Sequence, residues 1–285
     1  MSLSVVIITY NEEKNISRCI DSAKPVADEI VVLDSYSTDR TEAIVRESGG
    51  CFYLRAFTGY GAQKNAATAL ATHDFILFLD ADELLSPALQ ESIRAEKERG
   101  FPSDGYTMNR LNNYCGRWIR HGSWYPDKKV RLLNRQKGAW SLDIVHESLV
   151  PDGGARISHL RGDLLHYTYF NAAEHMEKNN KYSTLSARLL YQKGRRSRGY
   201  KIVLNPFWAF FTSYFLRAGF LDGLYGFVIA INIAHLTFLK YIKLYQLQQG
   251  AAAGGAAADG LPHESPGGSP PELPGESPGG SADRQ

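Results

Sequence analysis

Four short apolar runs, each followed at once by polar side chains, set the strongest limit on what this chain can fold into. They are 4–9 (SVVIIT), 29–34 (EIVVLD), 51–54 (CFYL) and 74–80 (DFILFLD), spaced by roughly 22 to 26 residues. Helix-like stretches fill the gaps at 12–24, 40–48 and 61–72, and a fourth covers 86–99, opened by Ser86-Pro87 as N-cap and first helical residue. Strands alternating with helices at this spacing form βαβ units. Strands apolar throughout belong in a parallel sheet covered on both faces. The expected fold class is therefore α/β, a mostly parallel sheet flanked by helices. In such sheets ligands sit beyond the carboxyl ends of the strands, which directs attention to Tyr10 to Glu13, Asp34 to Asp39 and Asp80 to Glu83.

From about residue 104 the pattern changes to shorter extended pieces rich in Tyr, Trp, Arg and Asn, read as an antiparallel extension carrying a second half-site. Residues 171–192 return to helical periodicity. Positions 178–221 then hold nine Lys or Arg and no acid, and 202–239 is strongly apolar, with only Arg217 and Asp222 charged. Its longest uncharged stretch, 223–239, is slightly short of a spanning helix. Two readings of this region compete: a basic-flanked membrane-interface helix pair or re-entrant hairpin, with Trp208 and numerous Tyr and Phe residues at headgroup depth, and a helical subdomain packed on the core. The acid-free basic approach favours the membrane reading. The last 36 residues contain 26 Gly, Ala, Pro or Ser and no aromatic residue, and are expected to be disordered. The expected organisation is 1–170 as the α/β domain, 171–249 as the membrane-associating region and 250–285 as a tail. Net charge is +2, and the three cysteines form no CxxC pair. Together with an N-terminus that runs straight into the first strand, they point to a reduced, cytoplasmic setting. The basic stretch adjoins apolar sequence rather than a polar base-reading surface, so no nucleic-acid partner is expected.

The chemistry concentrates in Asp80-Ala81-Asp82-Glu83 at the exit of FILFL. Two carboxylates one residue apart at a strand end can converge on a hard cation, and oxygen ligands of this kind suit Mg²⁺ or Mn²⁺ bridging to phosphates. The bland alternative is a strand end and helix cap. Thr9, Asn11 and Glu12 after the first strand, and Asp34 after the second, are polar groups able to receive a base or ribose, although Ser, Thr and Asp are equally common turn formers.

In order and spacing, VVIITYNEE, VVLDSYSTDRT, GYGAQKNAA and FILFLDADE resemble the donor half of the inverting family 2 glycosyltransferases with the GT-A fold. The resemblance implies a UDP-sugar or similar nucleotide-sugar donor bound beside Thr9, Asn11, Glu12 and Asp34. It places Asp80 and Asp82 at ribose and metal-diphosphate, with Lys64 and Asn65 lining the donor pocket. Where many relatives carry Asp-Asp after the second strand, this chain has Asp34-Ser35. Downstream, WSLDIVHESL supplies Glu147 as first choice of general base, with His146 as base or metal or phosphate contact and Asp143 behind them. Trp124 and Arg131 lie on the same side in the sequence order, and Arg131 is read equally as a phosphate contact and as a structural partner. The His-Glu element, HYTYF, NNKYS at 179–183 and LRAGFLDGLYGF at 216–227 resemble the bacterial lipopolysaccharide core subgroup related to heptose-directed β-1,4-glucosyltransferases.

That resemblance implies transfer of a hexose, in that subgroup glucose, to a lipid-linked saccharide. The enzyme would be peripheral or monotopic on the anionic cytoplasmic face of the inner membrane. Transfer to polyprenyl phosphate, and a catalytically silent nucleotide- or lipid-binding module, are the alternatives. The silent module would be expected to lose the Asp80/Asp82 pair, which is present.

Overall fold

The computed structural model describes residues 1–143 and 147–252, so His146 and nearly all of the tail lie outside the described residues. The described chain divides into two compact units. One is Met1–Asn113 with Lys128–Thr168; the other is Tyr114–Asp127 with the residues from Tyr169 on.

The first unit starts with β1 (Leu3–Thr9), α1 (Ile16–Ala23), β2 (Glu29–Asp34), α2 (Thr41–Glu47), β3 (Cys51–Leu54), α3 (Tyr60–Leu70) and β4 (Phe75–Asp80). β1 lies between β2 and β4, and β2 pairs with β3, all parallel. The near-continuous apolar strands are explained by cover on both faces. Val5 and Ile7 of β1 meet Ile16 and Ile20 of α1, whereas Val6 is packed with Ala67 of α3 and with Ile76. Each fully buried Val, Leu or Ile contributes roughly 1.5–3 kcal/mol, so the alternation along β1 fixes the register as well as the fold. That register sets Thr9 beside Asp34 and Ile8 beside Asp80, aligning the polar strand ends along one edge.

β5 (Glu83–Leu85) and α4 (Pro87–Glu98) follow, and Ser86 caps α4 as its sequence predicts, Oγ accepting from the Leu89 N–H at 3.3 Å. The extension comprises β6 (Gly105–Tyr114), β7 (Arg117–Ile119), β8 (Asp127–Asn134), β9 (Gly138–Trp140), β10 (Leu149–Pro151) and β11 (Ile157–Tyr169). The main sheet runs β3-β2-β1-β4-β8-β6-β11-β5, while β9 and β10 form a separate ribbon. β4 pairs with β8 and β5 with β11 antiparallel, the latter setting His166 opposite Glu83. The parallel half thus continues into an antiparallel half, giving the mixed α/β sheet of the GT-A class.

The second unit holds α5 (Ala172–Gln192), α6 (Gly199–Phe211) and α7 (Gly223–Ala252). Its interior is aromatic: Tyr114, Trp124, Tyr169 and His175 stack within centroid distances of 4.4–5.9 Å. Trp124, placed by the sequence among acceptor-side residues, is buried here as packing. Burial lowers the His175 pKa to about 4, with Lys178 adding to the effect. The imidazole is therefore neutral when folded, and its contribution is complete above the ordinary value near 6.5. Stability is lost as pH falls from there towards 4, because only the unfolded chain takes up the proton. Urea denaturation should show wild type losing about 2 kcal/mol more than His175→Gln between pH 7 and 5. Equal losses would contradict this assignment. Among the described residues one helical stretch, Gly219–Gly250, is long and apolar enough to cross a membrane by length and composition.

Candidate active site

The site is built where β1, β2 and β4 end. Asp34 is fully buried and accepts from Thr9 Oγ1 at 2.8 Å, the Ser37 N–H at 2.6 Å and Ser37 Oγ at 2.5 Å. Asn11 adopts a left-handed backbone (φ 55°), and its Oδ1 accepts from the Thr38 N–H at 2.9 Å. Asn and Asp tolerate this conformation better than other side-chain-bearing residues. Thr9, Asn11 and Asp34 thus order the 35–38 loop at the sheet edge. Glu12 turns towards the helix starts: its N–H donates to Thr41 Oγ1 at 2.9 Å and its carboxylate accepts from Asn15 Nδ2 at 2.7 Å.

Beyond β4 lies a chain of buried charges. Lys64 Nζ stands 3.0 Å from Asp80 Oδ1 and 3.4 Å from Glu147 Oε1, with Trp140 beneath it at 4.2 Å. Arg131 Nη2 bridges Asp80 Oδ2 at 2.9 Å and Glu83 Oε1 at 3.0 Å. The second Glu83 oxygen accepts from the Asp80 N–H at 3.0 Å. Buried charges persist only when paired and hydrogen-bonded, as these are. Burial pushes the Glu83 carboxyl above its ordinary value and Asp80 adds to this, while Arg131, His166 and Arg110 oppose it. Burial also drives the Tyr60 phenol well up, with the charges of Glu147 and Asp80 adding to it.

Asp82 differs from its neighbours. Its Oδ1 is buried without a hydrogen-bond partner, and its Oδ2 lies 3.3 Å from His166 Nε2. His166 Nδ1 is 2.7 Å from Asn112 Oδ1, which also receives Thr168 Oγ1 at 3.0 Å. An amide oxygen can only accept, so His166 Nδ1 carries a proton, and Nε2 faces Asp82 as a lone pair in the neutral imidazole or as a second N–H in the imidazolium. A buried carboxylate oxygen without a hydrogen-bond partner, beside an imidazole nitrogen, fits a cation. The carboxylate suits Mg²⁺ or Mn²⁺, and an imidazole oriented by an amide favours the softer Mn²⁺ of the two. Among the described residues no group of three or more His, Cys, Asp or Glu is placed to hold a metal unaided, so further ligands would be substrate oxygens and water.

The structure therefore brings Lys64, Asp80 and Glu147 together, and sets Asp82 against a residue the sequence reading assigned no role, His166. Asn65, expected to line the donor pocket, holds β9: its Oδ1 accepts from the Trp140 N–H at 3.0 Å and its Nδ2 donates to the Trp140 carbonyl at 2.9 Å. Gly61 allows this approach, since a Cβ there would collide with the Ser141 carbonyl. Arg131, read equally as a phosphate contact and a structural partner, is paired here with Asp80 and Glu83. Asp143 is exposed.

With this geometry in place, comparison with known proteins gives the class. Residues 4–149 match the model of glycosyl transferase family 2, and the chain belongs to that family. It is 34% identical over 252 residues to the lipopolysaccharide core biosynthesis glycosyltransferase LpsC of Rhizobium meliloti, covering 86% of this chain and 93% of that protein. It is 32% identical to an uncharacterized glycosyltransferase of Rickettsia typhi, covering 86% and 87%. Solved structures similar to it include Staphylococcus aureus TarS 1-349 in complex with UDP-GlcNAc, at 17% identity and TM-score 0.45, covering 90% and 93%. Another is glucosyl-3-phosphoglycerate synthase of Mycobacterium tuberculosis with Mn²⁺ and UDP-glucose, at 18% identity and TM-score 0.43, covering 70% and 81%. The protein is a glycosyltransferase and a homologue of a lipopolysaccharide core enzyme.

Proposed function

We infer that this glycosyltransferase moves a hexose, glucose in the first instance, from a UDP-sugar to a lipid-linked saccharide such as lipopolysaccharide core. The transfer inverts the anomeric centre, depends on Mg²⁺ or Mn²⁺, and takes place at the cytoplasmic face of the inner membrane. The observation that carries the reading is Asp82 with its unpartnered buried oxygen beside His166, adjoining the Lys64–Asp80–Glu147 cluster at the ends of the parallel strands. The name of the LpsC relative supports the acceptor class, and the strand-end motifs support the donor class.

In this reading the loop ordered by Thr9, Asn11 and Asp34 receives the nucleoside, with Glu12 behind it, and Asp80 meets the ribose. Asp82 and His166 would hold the divalent ion, which when bound supplies Lewis-acid neutralisation of the diphosphate leaving group. Glu147, oriented by Lys64, takes the proton from the acceptor hydroxyl as that oxygen attacks the anomeric carbon. The new glycosidic C–O bond forms opposite the bond to diphosphate, which breaks with its electron pair leaving on the nucleoside diphosphate. One such displacement inverts the centre. His146 remains a proposed contact of the same element.

Glu147→Gln keeps shape and hydrogen bonding but removes the base. It should lower transfer by roughly 10²–10⁴-fold while leaving donor affinity within a few-fold, measured by product formation beside calorimetric titration of UDP-glucose. Undiminished transfer would instead favour an acceptor whose attacking oxygen is already anionic, as in a polyprenyl phosphate.

A further inference from the structure

The second unit carries an apolar face that its own fold leaves uncovered. On α6, Val203, Phe207 and Trp208 are exposed, the latter two by 66% and 60%, at the spacing of one helical face. On α7, Leu224, Ile231 and Phe238 recur along a single stripe, Leu224 being 73% exposed. Contiguous apolar surface of this extent marks an interaction site.

How this face can meet a partner is decided by what holds its ends. At one end, between α6 and α7, the Asp222 carboxylate accepts from the Arg120 N–H at 3.1 Å and the His121 N–H at 2.8 Å, and lies 3.0 Å from His121 Nδ1. Ser213 Oγ accepts from the Ser123 N–H at 3.3 Å, and the Gly122 N–H donates to the Arg217 carbonyl at 2.8 Å. The turn is thus fastened to the polar segment 114–127. Towards the other end, Lys243 Nζ donates to the Asn180 carbonyl, Ser183 Oγ and Thr184 Oγ1 of α5 at 2.7–2.8 Å. α5 itself carries Glu174, Glu177, Lys178, Lys181 and Arg188. α7 as a whole rises about 45 Å and is long enough to cross a bilayer core of about 30 Å, but it is tied at its start and near Lys243 to polar chain of the same unit. A crossing helix would have to carry one of these polar partners into or through hydrocarbon, where their groups have no water to pair with.

We propose that α6 and α7 lie side by side in the plane of an anionic leaflet, meeting the lipid through their exposed flank rather than crossing the bilayer. This rests on the membrane-surface reading above and supplies its geometry. Charge identifies the lipid: Lys193, Arg195, Arg196 and Arg198 are exposed at the start of α6, and no acid occurs between 178 and 221. Basic residues flanking an amphipathic surface attract anionic headgroups. Trp208 and Phe207 belong at that depth. An in-plane seat holds the enzyme against a two-dimensional pool of lipid-linked acceptor, raising its effective concentration.

The test uses the full chain and vesicles of phosphatidylethanolamine with phosphatidylglycerol, compared with phosphatidylcholine alone. Binding should be at least tenfold weaker without the anionic lipid. It should fall at least tenfold in Trp208→Glu/Leu224→Glu, both exposed positions, with unfolding unchanged. Nitroxide labels on Phe207→Cys, Leu221→Cys and Phe238→Cys, with Cys51 and Cys115 replaced by serine, should report one shallow depth. Depths running through the bilayer centre between 221 and 238 would overturn the in-plane geometry while leaving membrane binding intact. Failure to bind any vesicle would overturn both, as would a lipid-independent dimer that buries the labels. Donor titration, which needs no membrane, reports separately on the sugar-transfer reading.

Discussion

Asp82→Ala is expected to lower sugar transfer by roughly 10²–10³-fold with little loss of stability, because one of the oxygens it removes has no hydrogen-bond partner and the other lies 3.3 Å from His166 Nε2. Most substitutions of a partly buried polar group lose partners and cost stability. Here the carboxylate has one unpartnered buried oxygen and its other oxygen lies 3.3 Å from His166 Nε2. Thermal unfolding of the variant without metal should therefore stay within a few degrees of wild type, and the rise on adding Mn²⁺ with UDP should disappear. His166→Ala should lose the same metal-linked rise. Loss of stability in Asp82→Ala with the metal response retained would place the ion elsewhere.

The second large effect falls on stability. Arg131 is almost fully buried and one of its nitrogens reaches both Asp80 and Glu83, so Arg131→Ala leaves Asp80 to Lys64 and strips buried Glu83 of its near cation, with Arg110 at 3.9 Å. Removing one partner of a buried pair typically costs about 3–5 kcal/mol. At this chain length that lowers the unfolding midpoint by on the order of 10 °C. Glu83→Gln should cost less, since Arg131 then still has Asp80. Urea denaturation of the two variants checks the order, and a milder effect for Arg131→Ala would show that the arginine is not the hub of the cluster. Replacing Arg131 also perturbs Asp80, so its activity loss should accompany its stability loss, whereas in Asp82→Ala the two separate.

These two residues mark what was legible in the sequence. The parallel half of the sheet was, because β1, β2 and β4 are apolar throughout and end in polar groups, and Asp82 stood out at a strand exit. Its partner His166 did not, lying 84 positions on in an antiparallel strand. Its signal was quieter: Leu164, His166 and Thr168 alternate on the buried side of β11, as do Met108, Arg110 and Asn112 on β6. Polar residues at inward positions of two strands announce a polar interior, but not which strand end they meet. The register pairing His166 with Glu83 decides that, and it depends on long-range packing. Asn65 shows the converse. Its neighbour Lys64 enters the charge cluster, yet one residue further round α3 the side chain faces Trp140 and becomes a backbone clamp. Adjacent helix positions point about 100° apart, so a dipeptide motif cannot give both members one role.

The helical unit followed similar logic. Its apolar content and acid-free basic approach could be read directly, but spanning and lying on a surface share one composition. Asp222 is the residue on which the proposed in-plane geometry turns: what reads as a lone acid in an apolar stretch ties the turn to Arg120 and His121.

The central claim is that Asp82 and His166 form the cation-dependent donor site of a family 2 glycosyltransferase. Its most direct test is calorimetric titration of the full-length protein with UDP-glucose and other nucleotide sugars, with and without Mn²⁺, alongside Asp82→Ala. The account predicts that one nucleotide class binds, that its affinity rises at least tenfold with the ion, and that the rise is absent from the variant. Donor binding of equal strength with and without Mn²⁺, unchanged in Asp82→Ala, would contradict it.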